Sequence, residues 1–321
     1  MTAGIHHVTA ICGDAQRNVD FYAGVLGLRL VKRTVNFDDP QTYHLYYGDE
    51  VGAPGSLITF FPWPGAPRGR VGPGQVAATS FAIAPSALGF WIERLLRSGV
   101  AYRGPTARRV GDIAEQVLAF RDPDDLQLEI VATPLAERRI GWDGAPGITA
   151  AFAIRGIHGV TLWEQDGADT ARVLVELLGL ESIGTDGTIN RLGVVGQGPA
   201  SIADVRTTGD FPRCTVLVGT VHHVAWRVVD EREQLALRER LIAGGLDPTP
   251  VIDRQYFRSV YFREPGGVLF ELATDGPGFT IDEPVDRLGE QLQLPRQYET
   301  ARSRIAAVLP EIHPPPPARS A

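Results

Sequence analysis

The sequence predicts an α+β chain built from four βαβββ modules, and three observations carry that prediction. The opening "HHVTAICGDAQRNVDFYAGVLGLRLV" from residue 6 returns as "HGVTLWEQDGADTARVLVELLGLESI" from 158 and as "HHVAWRVVDEREQLALRERLIAGGL" from 222; a more diverged version, "ATSFAIAPSALGFWIERLLRSGV", starts at 78. In each, strand alternation gives way to the period of an amphipathic helix. Two modules also close alike: "LAFRDPDDLQLEIVAT" (118–133) and "VYFREPGGVLFELAT" (260–274) both read as strand, acidic-Pro turn and strand, with Glu129 and Glu271 at the same place.

Taken in order, the modules span residues 4–65, 76–134, 154–206 and 219–275. In the first, Asp14 is positioned to cap a helix that ends at Gly27. The stretch "PLAERRIGWDGAPG" (134–147) reads as a linker, dividing the chain into an N-terminal domain, 1–147, and a C-terminal domain, 148–321. Residues 276–321 follow the last strand as a Gly/Pro-rich segment, and the tail "EIHPPPPARSA" has the composition of a disordered end.

Composition sets bounds on function. A chain of 321 residues, 44% hydrophobic and 21% charged, can bury a core without disulfide or metal staples. Cys12 and Cys214 form no CxxC pattern and are expected to be buried small hydrophobes. A net charge of −7, with Lys32 the only lysine and no basic cluster, gives no reason to expect nucleic-acid binding. No apolar run reaches the roughly 18 residues of a membrane span, and "MTAGIHHVTAICGD" lacks the plan of a secretory signal, so a cytoplasmic location is expected.

Repeated βαβββ units with His on the first strand and Glu on the last resemble the vicinal oxygen chelate superfamily, the glyoxalase, bleomycin-resistance and dioxygenase fold. Four units in one chain are similar to its extradiol-type ring-cleaving dioxygenases. The stretches "GIHHVTAI", "NVDFYAGVLGLRLVKRTVNFDDPQTYHLYYGDEVGAPGSLITFFPW" and "YFRSVYFREPGGVLFELATDGPGFTIDE" resemble the hydroquinone and chlorohydroquinone 1,2-dioxygenases. The resemblance implies that the modules pair into two pseudo-symmetric half-barrel units. It also implies an Fe(II) cofactor, with Mn(II) as an alternative occupant and zinc left open by residue type alone. The implied partners are a hydroquinone-type aromatic and O2. A homo-oligomer stays open.

Alignment of the openings bears on which side chains could meet at a metal. His6, His158 and His222 match one another; His7 matches His223, and Gly159 takes that slot in the third module. In "VLFELAT", Val268, Phe270 and Leu272 alternate with Leu269, Glu271 and Ala273; a carboxylate suits the concave face and would be costly beneath the helices. His7, His223 and Glu271 are therefore the expected ligands, a two-histidine, one-carboxylate set that leaves coordination positions open. The matching first-module strand, "GSLITFFP", offers only Thr59 or Phe60. This choice requires the first and fourth modules to pair. A rival set of His158, His223 and Glu271 follows the more familiar extradiol arrangement; it is ranked second because His158 aligns with His6.

Strict alternation puts His6 and His7 on opposite faces, and likewise His222 and His223, although a bulge could bring His6 or His222 near the cavity. The resemblance suggests catalytic or supporting roles for His6 and His222. Thr9 and Tyr261 are candidates for hydrogen-bonding substrate or oxygen, and Arg254 for stabilising a phenolate. His44 and His313 are classed as hydrogen-bonded core residues, and Glu129 as a solvated or salt-bridged remnant of duplication. The resemblance also implies that the segment after the last strand covers the cavity mouth. Two rivals remain: a glyoxalase-like isomerase or thiol transferase, which would complete a four-ligand site, and a metal-free binding protein of the bleomycin-resistance type.

Overall fold

A computed structural model of the chain describes residues 1–194, 196 and 198–315. Its elements fall into four βαβββ modules. The first has β1 (Ile5–Cys12), α1 (Ala15–Val19), β2 (Arg29–Val35), β3 (Tyr43–Gly48) and β4 (Leu57–Pro62); the second has β5 (Gln75–Ile83), α2 (Leu88–Arg97), β6 (Tyr102–Val110), β7 (Ile113–Arg121) and β8 (Gln127–Ala132). The third has β9 (Ile157–Glu164), α3 (Ala168–Arg172), β10 (Glu181–Asp186), β11 (Ile189–Gly193) and β12 (Ile202–Thr207). The fourth has β13 (Thr220–Val228), α4 (Glu231–Ala243), β14 (Ile252–Asp253), β15 (Arg258–Arg263) and β16 (Leu269–Thr274). Asp14 caps α1 by accepting from the Arg17 amide, and the helix continues as a π-turn over Asp20–Val25 before Gly27 reverses the chain at φ 65°.

The strands form two eight-stranded sheets, ordered β14-β15-β16-β13-β1-β4-β3-β2 and β10-β11-β12-β9-β5-β8-β7-β6. The first sheet joins the first and fourth modules through antiparallel β1 and β13; the second joins the second and third through β5 and β9. Each sheet thus takes one module from either side of residue 147, so the division of the sequence at that point is not a division between sheets. The helices cover one face of the sheets. Trp91 and Leu95, one helical turn apart on α2, are both buried, as are Val224, Trp226 and Val228, which alternate on β13. Full burial of side chains this size contributes about 1.5–3 kcal/mol each before the entropy of ordering is subtracted.

The pairing of β1 with β13 is broken twice, and both breaks matter to the site. Ile5 pairs with Trp226 and His7 with Ala225, leaving His6 as the extra residue; Thr9 pairs with His223 and Ala10 with Val221, leaving His222 extra. Each is a β-bulge at the first histidine of a pair. The strict alternation expected from the sequence therefore fails where the histidines stand.

After β16 the chain runs back along the first module. Phe279 packs on Tyr46 and Tyr256, buried Lys32 pairs with Asp282 and Glu283, and Leu292 bridges to Arg33 on the outer strand β2. This covers an otherwise open sheet edge. Ile312 is buried and the His313 amide donates to Gln16, so the start of the tail is anchored; the expectation of disorder for 316–321 lies outside the described residues. Cys12 is buried as expected, but Cys214 is only half-buried. No helix among the described residues is long and apolar enough to cross a membrane.

Candidate metal centre and its cavity

His7 from β1, His223 from β13 and Glu271 from β16 converge on the concave face of the first sheet. Their ligating atoms all lie within 4.8 Å of one another. His223 Nε2 is 2.9 Å and His7 Nε2 3.3 Å from Glu271 Oε2, and the two Nε2 atoms are 3.3 Å apart. Glu271 is fully buried. Its Oε1 accepts a hydrogen bond from Ser259, while Oε2, facing both imidazoles, has no hydrogen bond of acceptable geometry. Burial alone would raise this carboxyl; His7 and His223 outweigh it and hold it well below the usual range. A buried carboxylate oxygen with no hydrogen bond, facing two imidazole nitrogens, is a donor set that fits a divalent cation.

The bulges supply the supporting contacts. His6 Nδ1 lies 2.9 Å from His7 Nδ1, and His222 Nδ1 lies 2.8 Å from His223 Nδ1. Each outer nitrogen of the inner pair is thereby engaged, leaving Nε2 to face the centre. Burial, then the neighbouring imidazole, pushes His6 and His222 each down to about 3, so both are neutral near pH 7.

A cavity of about 340 Å³ opens onto His7 and His223. Phe37, Phe61, Trp63, Phe257 and Leu269 give it apolar walls, while Asn36, Asp38, His44, Tyr46, Arg254 and Tyr261 supply polar atoms. The volume lies at the small end of the ~300–1,000 Å³ range of ligand pockets, suited to a single ring. Of the predicted site residues, His222, Arg254 and Tyr261 line this cavity. His6 does not; it is buried against Phe257, with ring centroids 5.1 Å apart. Thr9 is also away from the lining, its hydroxyl 2.8 Å from that of Thr59. Arg254 pairs with Asp38 at 3.1 Å and lies over the Tyr261 ring at 5.4 Å. Tyr261 is raised above the ordinary phenol range by burial and by Glu271, and so stays protonated.

No residue of the segment after β16 lines the cavity, which is bordered instead by the Asn36–Asp38 loop. The segment supports that wall: Tyr298 donates to the Phe37 carbonyl and Phe279 packs on Tyr46.

His44 is buried and hydrogen-bonded, as its sequence setting suggests, but its place at the cavity is an addition. It lines the cavity, with Nε2 2.9 Å from Thr59 Oγ1 and Nδ1 2.8 Å from Tyr46 Oη. Together with Thr9 it completes a row Tyr46–His44–Thr59–Thr9. The signal was available in "TYHLYY": once β3 is placed beside β4, His44 and Tyr46 share a face with Thr59 across the pair. His313, classed with His44, is exposed beside Glu311.

The second sheet holds a different centre. His158 is the bulge residue opposite Phe81 and Ser80, and its Nε2 lies 2.7 Å from Glu115 Oε1. Fully buried Arg191 forks onto Asp204 at 2.7 and 2.8 Å and reaches Glu115 at 3.1 Å. Arg108 joins Glu115 to Glu129, which also accepts from Ser80. His158 is therefore committed to this network, in a different sheet from His223 and Glu271. Guanidinium groups neutralise the carboxylates here, and Glu129 is the salt-bridged member the duplication predicted.

Comparisons with known proteins agree with this architecture. The Glyoxalase/Bleomycin resistance protein/Dioxygenase superfamily profile matches residues 4–130. A Bacillus subtilis protein named as the ring-cleaving dioxygenase MhqO is 46% identical over 95% of this chain and 95% of its own. A chlorohydroquinone/hydroquinone 1,2-dioxygenase of Sphingobium indicum is 34% identical over 94% of each. A crystal structure of a Bacillus subtilis dioxygenase, 44% identical, superposes with a TM-score of 0.90 over 98% of this chain and 99% of that one. Glyoxalase I from Zea mays, at 14% identity and a TM-score of 0.60 over 85% and 92% of the chains, shares the fold.

Proposed function

Since the chain belongs to the glyoxalase/bleomycin resistance protein/dioxygenase superfamily, and within it to the ring-cleaving dioxygenases, we propose that it opens hydroquinone-type rings with O2 at an Fe(II) held by His7, His223 and Glu271. The observation that carries this reading is the convergence of two imidazole Nε2 atoms on one oxygen, Oε2, of a buried glutamate, next to a ring-sized cavity. An Fe(II) held by these three side chains would supply the redox coupling between an electron-rich ring and O2; Mn(II) suits the same donors.

The chain's own residues divide the remaining work. A para-diol cannot chelate through both oxygens, so its far hydroxyl needs a protein partner. Arg254, held by Asp38 and Tyr261, supplies a fixed cation inside the cavity. His44 is the group placed to move a proton. Burial, then His7 and His223, holds it well below its ordinary value, so it is neutral, with one nitrogen donating and the other accepting between Tyr46 and Thr59. Tyr261 stays protonated and can donate to oxygen. His6 and His222 fix the ring orientation of the two ligand histidines. Phe37, Phe61 and Phe257 hold the ring and exclude water.

The test is oxygen uptake after anaerobic loading with Fe(II), with hydroquinone, chlorohydroquinone and catechol supplied in turn. Uptake with the para-diols is expected. Uptake with none of the three contradicts the reading.

A further inference from the structure

Behind the His222–His223 pair lies a second cavity, of about 200 Å³, that shares Trp63, His222, His223 and Leu269 with the larger one. It sits where the two sheets meet: Gln75 and Val76 come from β5 of the second sheet, Val221 from β13 and Leu269 from β16 of the first. Val76, Val216, Val221 and Val268 make most of its wall apolar. Its polar lining comprises Arg263, the two histidines and Gln75, whose side-chain nitrogen and oxygen are buried without a hydrogen-bond partner.

We propose that this smaller cavity admits and holds dioxygen, separately from the aromatic ring. The inference rests on the dioxygenase reading, in which two reactants must reach one centre. The larger cavity carries Phe37, Phe61 and Phe257 with Arg254 and Tyr261, the groups that recognise a phenol. Apart from Trp63 and the two histidines the smaller one has no aromatic ring in its lining; Val76, Val216, Val221, Val268 and Leu269 form its apolar part, and Gln75 and Arg263 are its other polar side chains. A small apolar gas gains by leaving water for such a surface. The Gln75 amide marks the wet end, since unpaired buried polar atoms beside a space this large are met by water. His222 and His223, the latter a candidate ligand, line both cavities, so a molecule held in the smaller one is adjacent to the centre.

Two measurements test this. Crystals of the wild-type protein under xenon pressure should show xenon against Val76 and Val221; none in that cavity overturns the proposal. Val216 is half-buried and outside the regular strands, so Val216→Phe fills the cavity at small risk to the fold. It should raise KM for oxygen by about fivefold or more, with KM for hydroquinone unchanged. An unchanged KM for oxygen, or an equal rise for both substrates, overturns the proposal while wild-type uptake leaves the dioxygenase reading intact. No uptake by the wild type would overturn both.

Discussion

Thr59 stands in β4 at the place Glu271 holds in β16. Glu271 pairs with Tyr261 and accepts from Ser259; Thr59 pairs with Tyr46 and is 2.9 Å from His44 Nε2. The pseudo-symmetric sheet thus carries a carboxylate on one side and a hydroxyl on the other, and the difference sets how many positions on a metal stay open. Thr59→Glu should supply a fourth ligand. The expected outcome is metal binding at least as tight as in the parent, with oxygen uptake reduced by about 100-fold or more. Full turnover with metal retained would contradict this account of the open face.

His44→Phe keeps a ring between Tyr46 and Phe61 and removes both nitrogens. Metal content should match the parent, and kcat should fall by roughly 10²–10⁴-fold, the range of a positioned acid or base. Metal analysis and steady-state kinetics on one preparation check this. A kcat near the parent value would leave His44 as packing.

Arg191→Met tests the second sheet. The substitution leaves Glu115 and Asp204 buried without the guanidinium that bridges them. Breaking such a network costs about 3–5 kcal/mol, so the urea midpoint should drop sharply while metal content per folded chain stays constant. Lost metal with unchanged stability would reverse the roles assigned to the two sheets.

Glu164 gives a pH signature. Burial, then the charge of Glu264, raises its carboxyl to about 8, and both oxygens lack hydrogen bonds. The folded state therefore holds this proton more tightly than the unfolded chain. Its contribution is fully present below the unfolded value of 4.5 and is lost as pH rises through about 8. Relative to Glu164→Gln, the parent should melt progressively lower between those limits. Parallel melting curves across that range would show that Glu164 ionises as freely as in the unfolded chain.

The four-module plan was legible because duplication repeats the same switch from strand to helix, and the crossed pairing followed from Gly159 replacing a histidine in the third module. Other features were hidden because they belong to the pairing and not to the strand. Nothing in "GIHHVTAI" announces a bulge at His6; it exists only when β1 is laid on β13. His44 acquires its setting from Thr59 on a neighbouring strand and from the cavity wall. Arg191 was unremarkable in "TINRLGVV", since its partners Glu115 and Asp204 come from β7 and β12. The segment after β16 reads as a cover by resemblance, but its apolar residues and the carboxylates facing Lys32 fasten it to β2 and β3.

The most direct measurement of the central claim compares bound metal in His7→Ala and His158→Ala, each loaded anaerobically with Fe(II) and checked for folding by circular dichroism. A centre built by the first and fourth modules predicts that His7→Ala loses its iron while His158→Ala keeps it and melts at a lower temperature. Iron retained by folded His7→Ala and lost from folded His158→Ala would contradict it.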